Sequence, residues 1–94
     1  MIDYDKHRVY VEEQDAGLTQ NEFRLLSLLG KYAGKVLTYD YMMKEIWGPN
    51  MKGDNRILRV NMANIRRKIE KNPGQPQFIF TEVGVGYRII ETDS

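Results

Sequence analysis

The stretch 56–71, RILRVNMANIRRKIEK, constrains the fold of this chain more than any other. Its apolar residues Leu58, Met62, Ile65 and Ile69 recur at i, i+4, i+7 and i+11, a spacing that lines one side of a helix and neither face of a strand. At about 100° per residue, with Ile57 at zero, they fall within roughly 80–140° of the wheel, a narrow seam that has to face a core. The stretch also holds six cations (Arg56, Arg59, Arg66, Arg67, Lys68, Lys71) against one acid, Glu70. Arg56, Val60, Asn61, Asn64, Arg67 and Lys68 share a flank between about −100° and +40°, while Arg59 and Arg66 lie on the distal side. A plain solvated face is the bland alternative, but such a face seldom sets cations beside amides with so few acids to balance them. Amides and cations are also the side chains that reach base edges and phosphates in a major groove.

The total charge hides this clustering. Residues 1–55 carry seven Lys/Arg and nine Asp/Glu, whereas residues 56–94 carry seven and four. A mildly acidic front joined to one basic segment is an electrostatic footprint for a polyanion. The chain has no cysteine and one histidine, His7. That removes disulfides, thiol nucleophiles and Cys-based zinc sites, and leaves little from which to build a general base near neutral pH. An enzyme is not expected, and no cofactor or metal is implied. The apolar runs fall short of the roughly 18 residues that span a bilayer, and the start lacks a signal-peptide pattern. No membrane partner is expected, and the expected location is cytoplasmic. Ninety-four residues fit a single domain, 1–94, of ordinary size.

The remaining elements follow from local chemistry. Residues 1–11 read as two short strands around an Asp5-Lys6 turn, 12–17 as a turn, and Leu18 as part of another short strand. Thr19 and Glu22 stand three apart as a capping box for a helix with Leu25, Leu26, Leu28, Leu29, Tyr32 and Ala33 on its apolar side, stopped by Gly34 as the residue after its cap. Lys35-Val36-Leu37 is a bridge or tiny strand, and Thr38 caps a second helix through Trp47 with Tyr39, Met42, Met43 and Ile46 on one stripe. Residues 48–55 form an exposed loop rich in turn residues. Asn72-Pro73-Gly74-Gln75-Pro76 ends the third helix, and 78–90 is a hairpin with a glycine-hinged tip at 82–86. Gly84-Val85-Gly86 leads from strand into strand, so it is not a dinucleotide loop. The order of elements gives an α+β winged helix–turn–helix: a small N-terminal antiparallel sheet, three helices and a C-terminal β-hairpin wing.

Five motifs in register carry a resemblance across essentially the whole chain. They are Leu18-Thr19-x-x-Glu22-Phe23-x-Leu25-Leu26, Gly34-Lys35-Val36-Leu37-Thr38, Ile46-Trp47-Gly48, Arg66-x-Lys68-Ile69-Glu70 and Thr81-x-x-Gly84-x-Gly86-Tyr87-Arg88. Together they resemble the effector domain of OmpR/PhoB-type response regulators of two-component systems. The resemblance implies a four-stranded N-terminal sheet, a third helix that enters the major groove, a wing beside the minor groove, and a helix 2–helix 3 loop (48–55) that can meet RNA polymerase. It also implies a receiver domain, absent from this chain, through which a sensor kinase would act. Two positions depart from the family pattern. Val83 stands where many wings carry arginine, and Asn64 where many recognition helices do.

The expected function is therefore sequence-specific binding of duplex DNA in transcription regulation. Val60, Asn61, Asn64 and Lys68 are expected at base edges, with Val60 available to a thymine methyl. Arg56 and Arg67 flank them toward phosphates, and Thr38 and Thr81 are backbone candidates. Arg66, like Arg59, is a phosphate contact, a dimer contact or neither. The isolated domain is expected to be a monomer that binds a direct-repeat operator as adjacent copies. The rival reading is a module whose basic helix docks on an acidic protein, and structured RNA is disfavoured because an A-form major groove is too narrow for the helix.

Overall fold

The computed structural model describes residues 2–12, 14–49 and 55–91. In chain order its elements are β1 (Ile2–Asp3), β2 (Arg8–Val11), β3 (Gln14–Asp15), α1 (Gln20–Lys31), β4 (Leu37–Thr38), α2 (Tyr39–Trp47), α3 (Arg56–Ile69), β5 (Ile79–Glu82) and β6 (Gly86–Ile89). β1, β2 and β3 form one antiparallel sheet, and a second runs β4-β6-β5. This is the α+β winged helix–turn–helix expected from the sequence.

The capping box forms as expected. Thr19 Oγ1 accepts the Glu22 N–H at 3.2 Å, and the Thr19 N–H donates to Glu22 Oε1 at 3.0 Å, so two of the four orphan donors at the start of α1 are satisfied reciprocally. Thr38 repeats half of the device on α2, its Oγ1 accepting the Tyr41 N–H at 3.1 Å. Leu25, Leu26 and Leu29 of α1 meet the seam of Leu58, Met62, Ile65 and Ile69 on α3, and Met42 and Met43 of α2 close the same core.

The structure corrects the sequence reading in several places. Leu18 lies outside any strand, and the third N-terminal strand is the polar pair Gln14–Asp15, paired with Val11 and Tyr10. The described residues of that sheet form three strands rather than four. α1 ends at Lys31 with Tyr32 as its cap, three residues before Gly34, whose N–H instead donates to Ile89 O at 3.0 Å. The wing is more than a hairpin, because β4 adds a third strand through the pairs Leu37↔Tyr87 and Thr38↔Gly86. That contact requires glycine, since a Cβ on Gly86 would lie 1.8 Å from the Leu37 carbonyl oxygen.

α3 stops at Ile69 rather than at residue 71. Glu70 turns extended (ψ 137°) and is 6% exposed. Its carboxylate accepts the N–H groups of Gln77 at 2.8 Å, Phe78 at 3.0 Å and Ile79 at 2.9 Å. An ionised acceptor facing three backbone donors makes strong, short bonds. They tie the end of α3 to the start of β5, so the helix and the wing come as one unit.

Candidate nucleic-acid interface

The outer face of α3 follows from its core seam. With Leu58, Met62 and Ile65 fully buried, Ile57 is left 40% and Val60 54% exposed. Helical spacing puts Asn61, Asn64 and Arg67 on the same face. Arg56, Arg59 and Arg67 are exposed, and this end of the domain is basic.

Hydrogen bonds sort the two amides. Asn61 Nδ2 donates to Ile57 O at 2.8 Å, which engages one of its two amide N–H groups within the helix and leaves Oδ1 as an acceptor. Arg67 donates to Asn64 Oδ1, which leaves Asn64 its Nδ2 donor. Val60, Asn61, Asn64 and Arg67 are thus brought together on one surface, with Arg56 one turn before Val60.

Lys68 belongs elsewhere. Its ammonium lies 2.6 Å from Glu22 Oε1 and 3.1 Å from Gly17 O, so it points back along the scaffold toward α1 rather than to base edges. The angular position was right for the backbone, but a long side chain follows its partner. Burial pushes the Glu22 carboxyl upward, and the bonds from Lys68 and the Thr19 N–H outweigh that push, leaving it below the ordinary glutamate value.

Arg66 is also relocated. It is neither distal nor solvated: it donates to Ile79 O at 3.2 Å and Thr81 Oγ1 at 2.6 Å, and its guanidinium stacks 5.4 Å from the Tyr87 ring centroid. Thr81 accordingly accepts a hydrogen bond from within the domain. Burial, and then the neighbouring Tyr39, raise the Tyr87 hydroxyl, against the pull of Arg66 and Arg59; the phenol stays neutral under Arg66. Arg66 and Glu70, one turn apart, grip β5 through its carbonyl and its amides. The i, i+4 spacing of these two was visible in the sequence, but their common target was not.

Thr38 sits where α2 meets the wing, since its strand pairs with Gly86 and the Tyr39 N–H donates to Val85 O at 3.3 Å. At the wing tip Val83 is 90% exposed. Arg88, which sequence reasoning placed only in a motif, lies over the Phe80 ring at 4.7 Å and 3.4 Å from Glu82 Oε1. Residues 50–54 of the 48–55 loop, to which polymerase contact was assigned, lie outside the described residues. Among the described residues no helix is long and apolar enough to cross a membrane.

An exposed helix carrying cations, amides and small apolar groups, locked to a three-stranded wing, defines a winged-helix DNA-binding domain. The chain belongs to the family described as "Transcriptional regulatory protein, C terminal", matched over residues 13–89, the effector domain of OmpR/PhoB-type response regulators. It is a DNA-binding domain of a transcriptional regulator, not an enzyme.

Among its relatives, the KDP operon transcriptional regulatory protein KdpE of Escherichia coli (strain K12) is 38% identical over 89 residues, which are 95% of this chain and 40% of that protein. The alkaline phosphatase synthesis transcriptional regulatory protein PhoP of Bacillus subtilis (strain 168) is 39% identical over 87 residues, 93% of this chain and 36% of that protein. The chain thus spans about 40% of the length of these relatives. The DNA-binding domain of Klebsiella pneumoniae RstA, solved in complex with the RstA box, superposes with a TM-score of 0.86 at 26% identity, covering 95% of this chain and 88% of that one. The Thermotoga maritima response regulator DrrB, an OmpR/PhoB homolog, superposes at 0.87 with 30% identity, covering 96% of this chain and 41% of that one.

Proposed function

We propose that this domain lays α3 in the major groove of an operator duplex and sets the β5–β6 wing beside the adjacent minor groove, as the output part of a two-component regulator. The observation that carries the reading is the outer face of α3, where exposed Val60 and Arg67 stand with the half-buried Asn61 and Asn64 between Arg56 and the wing. Val60, Asn61 and Asn64 face base edges; Arg56 and Arg67 face phosphates. Thr38 contributes through the helix start it caps. Arg66, Lys68 and Thr81 act by holding α3, α1 and β5 in register.

Residues 1–94 are the effector domain, and a receiver domain ahead of it would bring control by a sensor kinase. The similarity to KdpE supports potassium-transport genes as the target. The loop 48–55 is the surface assigned to RNA polymerase, the operator is a direct repeat, the isolated domain is a monomer and the location is cytoplasmic. Fluorescence anisotropy against salt tests the DNA reading, because each phosphate contact adds about −0.9 to the slope of log K against log salt. A steep slope is expected. A flat response from low to moderate salt, with tight binding to an acidic protein instead, overturns it.

A further inference from the structure

We infer that α3 selects a thymine at one operator position by holding its C5-methyl against Val60, with Ile57 beside it. The inference rests on the duplex-reading function proposed above and adds the identity of a base. Ile57 and Val60 lie one turn apart and remain substantially exposed although the core seam on the next face is fully buried. β-branched residues on a solvated helix surface lose side-chain freedom without gaining burial. Their setting argues against an apolar protein groove as the cover, because Asn61, Asn64 and Arg67 share the same face. A small methyl set among hydrogen-bonding groups and phosphates suits that mixture, and thymine is the base that offers one in the major groove.

The amides complete the pattern. Asn61 has one of its two amide N–H groups bound to Ile57 O and presents its Oδ1 as an acceptor, whereas Asn64 has its oxygen bound by Arg67 and presents its Nδ2 as a donor. Read across the face, the helix offers apolar, donor and acceptor groups. An A·T pair offers a methyl, the O4 acceptor and the N6 amino donor across its major-groove edge. A G·C pair matches the polar groups in part but has no methyl.

The probe is a duplex recovered from a random library by selection on this domain, then resynthesised with deoxyuridine for thymine one position at a time. Each replacement removes one methyl and leaves the hydrogen-bonding edge intact. At one position the native domain is expected to bind about fourfold more weakly, the worth of one buried methyl group. Val60→Ala, which favours the helix at an exposed position and whose folding circular dichroism checks, is expected to bind the thymine duplex more weakly and to lose the discrimination at that position. The inference is overturned if the native domain binds every deoxyuridine duplex as tightly as the thymine one, or if Val60→Ala keeps the full fourfold difference. Failure to recover any duplex bound with a steep salt slope would instead overturn the underlying function.

Discussion

Glu22 at the start of α1 and Lys68 near the end of α3 meet at 2.6 Å across 46 residues of sequence. Glu22 is 2% exposed and its carboxylate also caps its own helix, so one buried side chain fixes both the entry of α1 and its angle to the helix that carries the interface.

A pH dependence follows from that pair. The folded-state pKa of Glu22 lies below its ordinary 4.5, so the unfolded chain binds the proton more tightly. Its contribution is present above that value and is lost as pH falls through the lower folded one. Lys68→Met removes the cation and leaves burial opposed by the Thr19 bonds alone. The variant should lose about 1–3 kcal/mol at neutral pH and show a flatter decline in acid. Urea midpoints measured at neutral pH and below about pH 4 check both parts.

Glu70→Ala should leave the N–H groups of Gln77, Phe78 and Ile79 without their acceptor. A loss of about 1–3 kcal/mol is expected. Hydrogen exchange should rise first at these three amides while the middle of α1 stays protected. Uniform acceleration across the domain would contradict a local clamp.

Gly86→Ala should be far more damaging than Gly84→Ala. At Gly86 the new methyl meets backbone at 1.8 Å, whereas Gly84 has φ +77° with open space around it. About 1–3 kcal/mol or more is expected for the first from forced separation of β4 and β6, and about 1 kcal/mol for the second from left-handed strain alone. Thermal denaturation of the two variants compares them directly.

On the outer face, Asn64→Ala should relax specificity at one base position at a cost of about 1–3 kcal/mol, while Arg67→Ala weakens selected and random duplexes alike. Because Arg67 donates to Asn64, the double variant should lose less than the sum of the singles. Strict additivity in a double-mutant cycle would show that the two act separately on DNA.

Sedimentation of the free domain should give one 11.0 kDa species at micromolar concentration. Two half-sites on one duplex should be filled more tightly than one, through effective concentration rather than a large new interface. A stable dimer without DNA would contradict this.

What the sequence made legible is what short-range chemistry decides. Thr19 with Glu22, Thr38 at the head of α2, the Leu58–Met62–Ile65–Ile69 seam and the hairpin all depend on residues within a few positions of one another. The strand at Gln14–Asp15 escaped notice because two polar residues carry no hydrophobic alternation, and their pairing with β2 is a backbone matter. Arg66 and Lys68 were misplaced for a different reason. A helical wheel gives the direction of Cβ, but a flexible cation ends where its partner is, and Thr81 and Glu22 come from elements brought near only by folding. Asn64 and Arg67 kept their predicted face because each finds its partner within the same turn.

The two-residue strand β4 lies in the chain between α1 and α2, yet its hydrogen-bonding neighbour is β6 of the wing. The bond from Tyr39 to Val85 carries the same seam onto the first residue of α2. The wing is therefore not an appendage that can be cut from one such domain and pasted onto another. A chimera that exchanges residues 79–89 alone would inherit an inner strand fitted to a foreign connector. The transferable module is discontinuous, comprising Leu37, Thr38, the wing and the Arg66 and Glu70 that grip it, and recombination that respects the fold has to move all of it together.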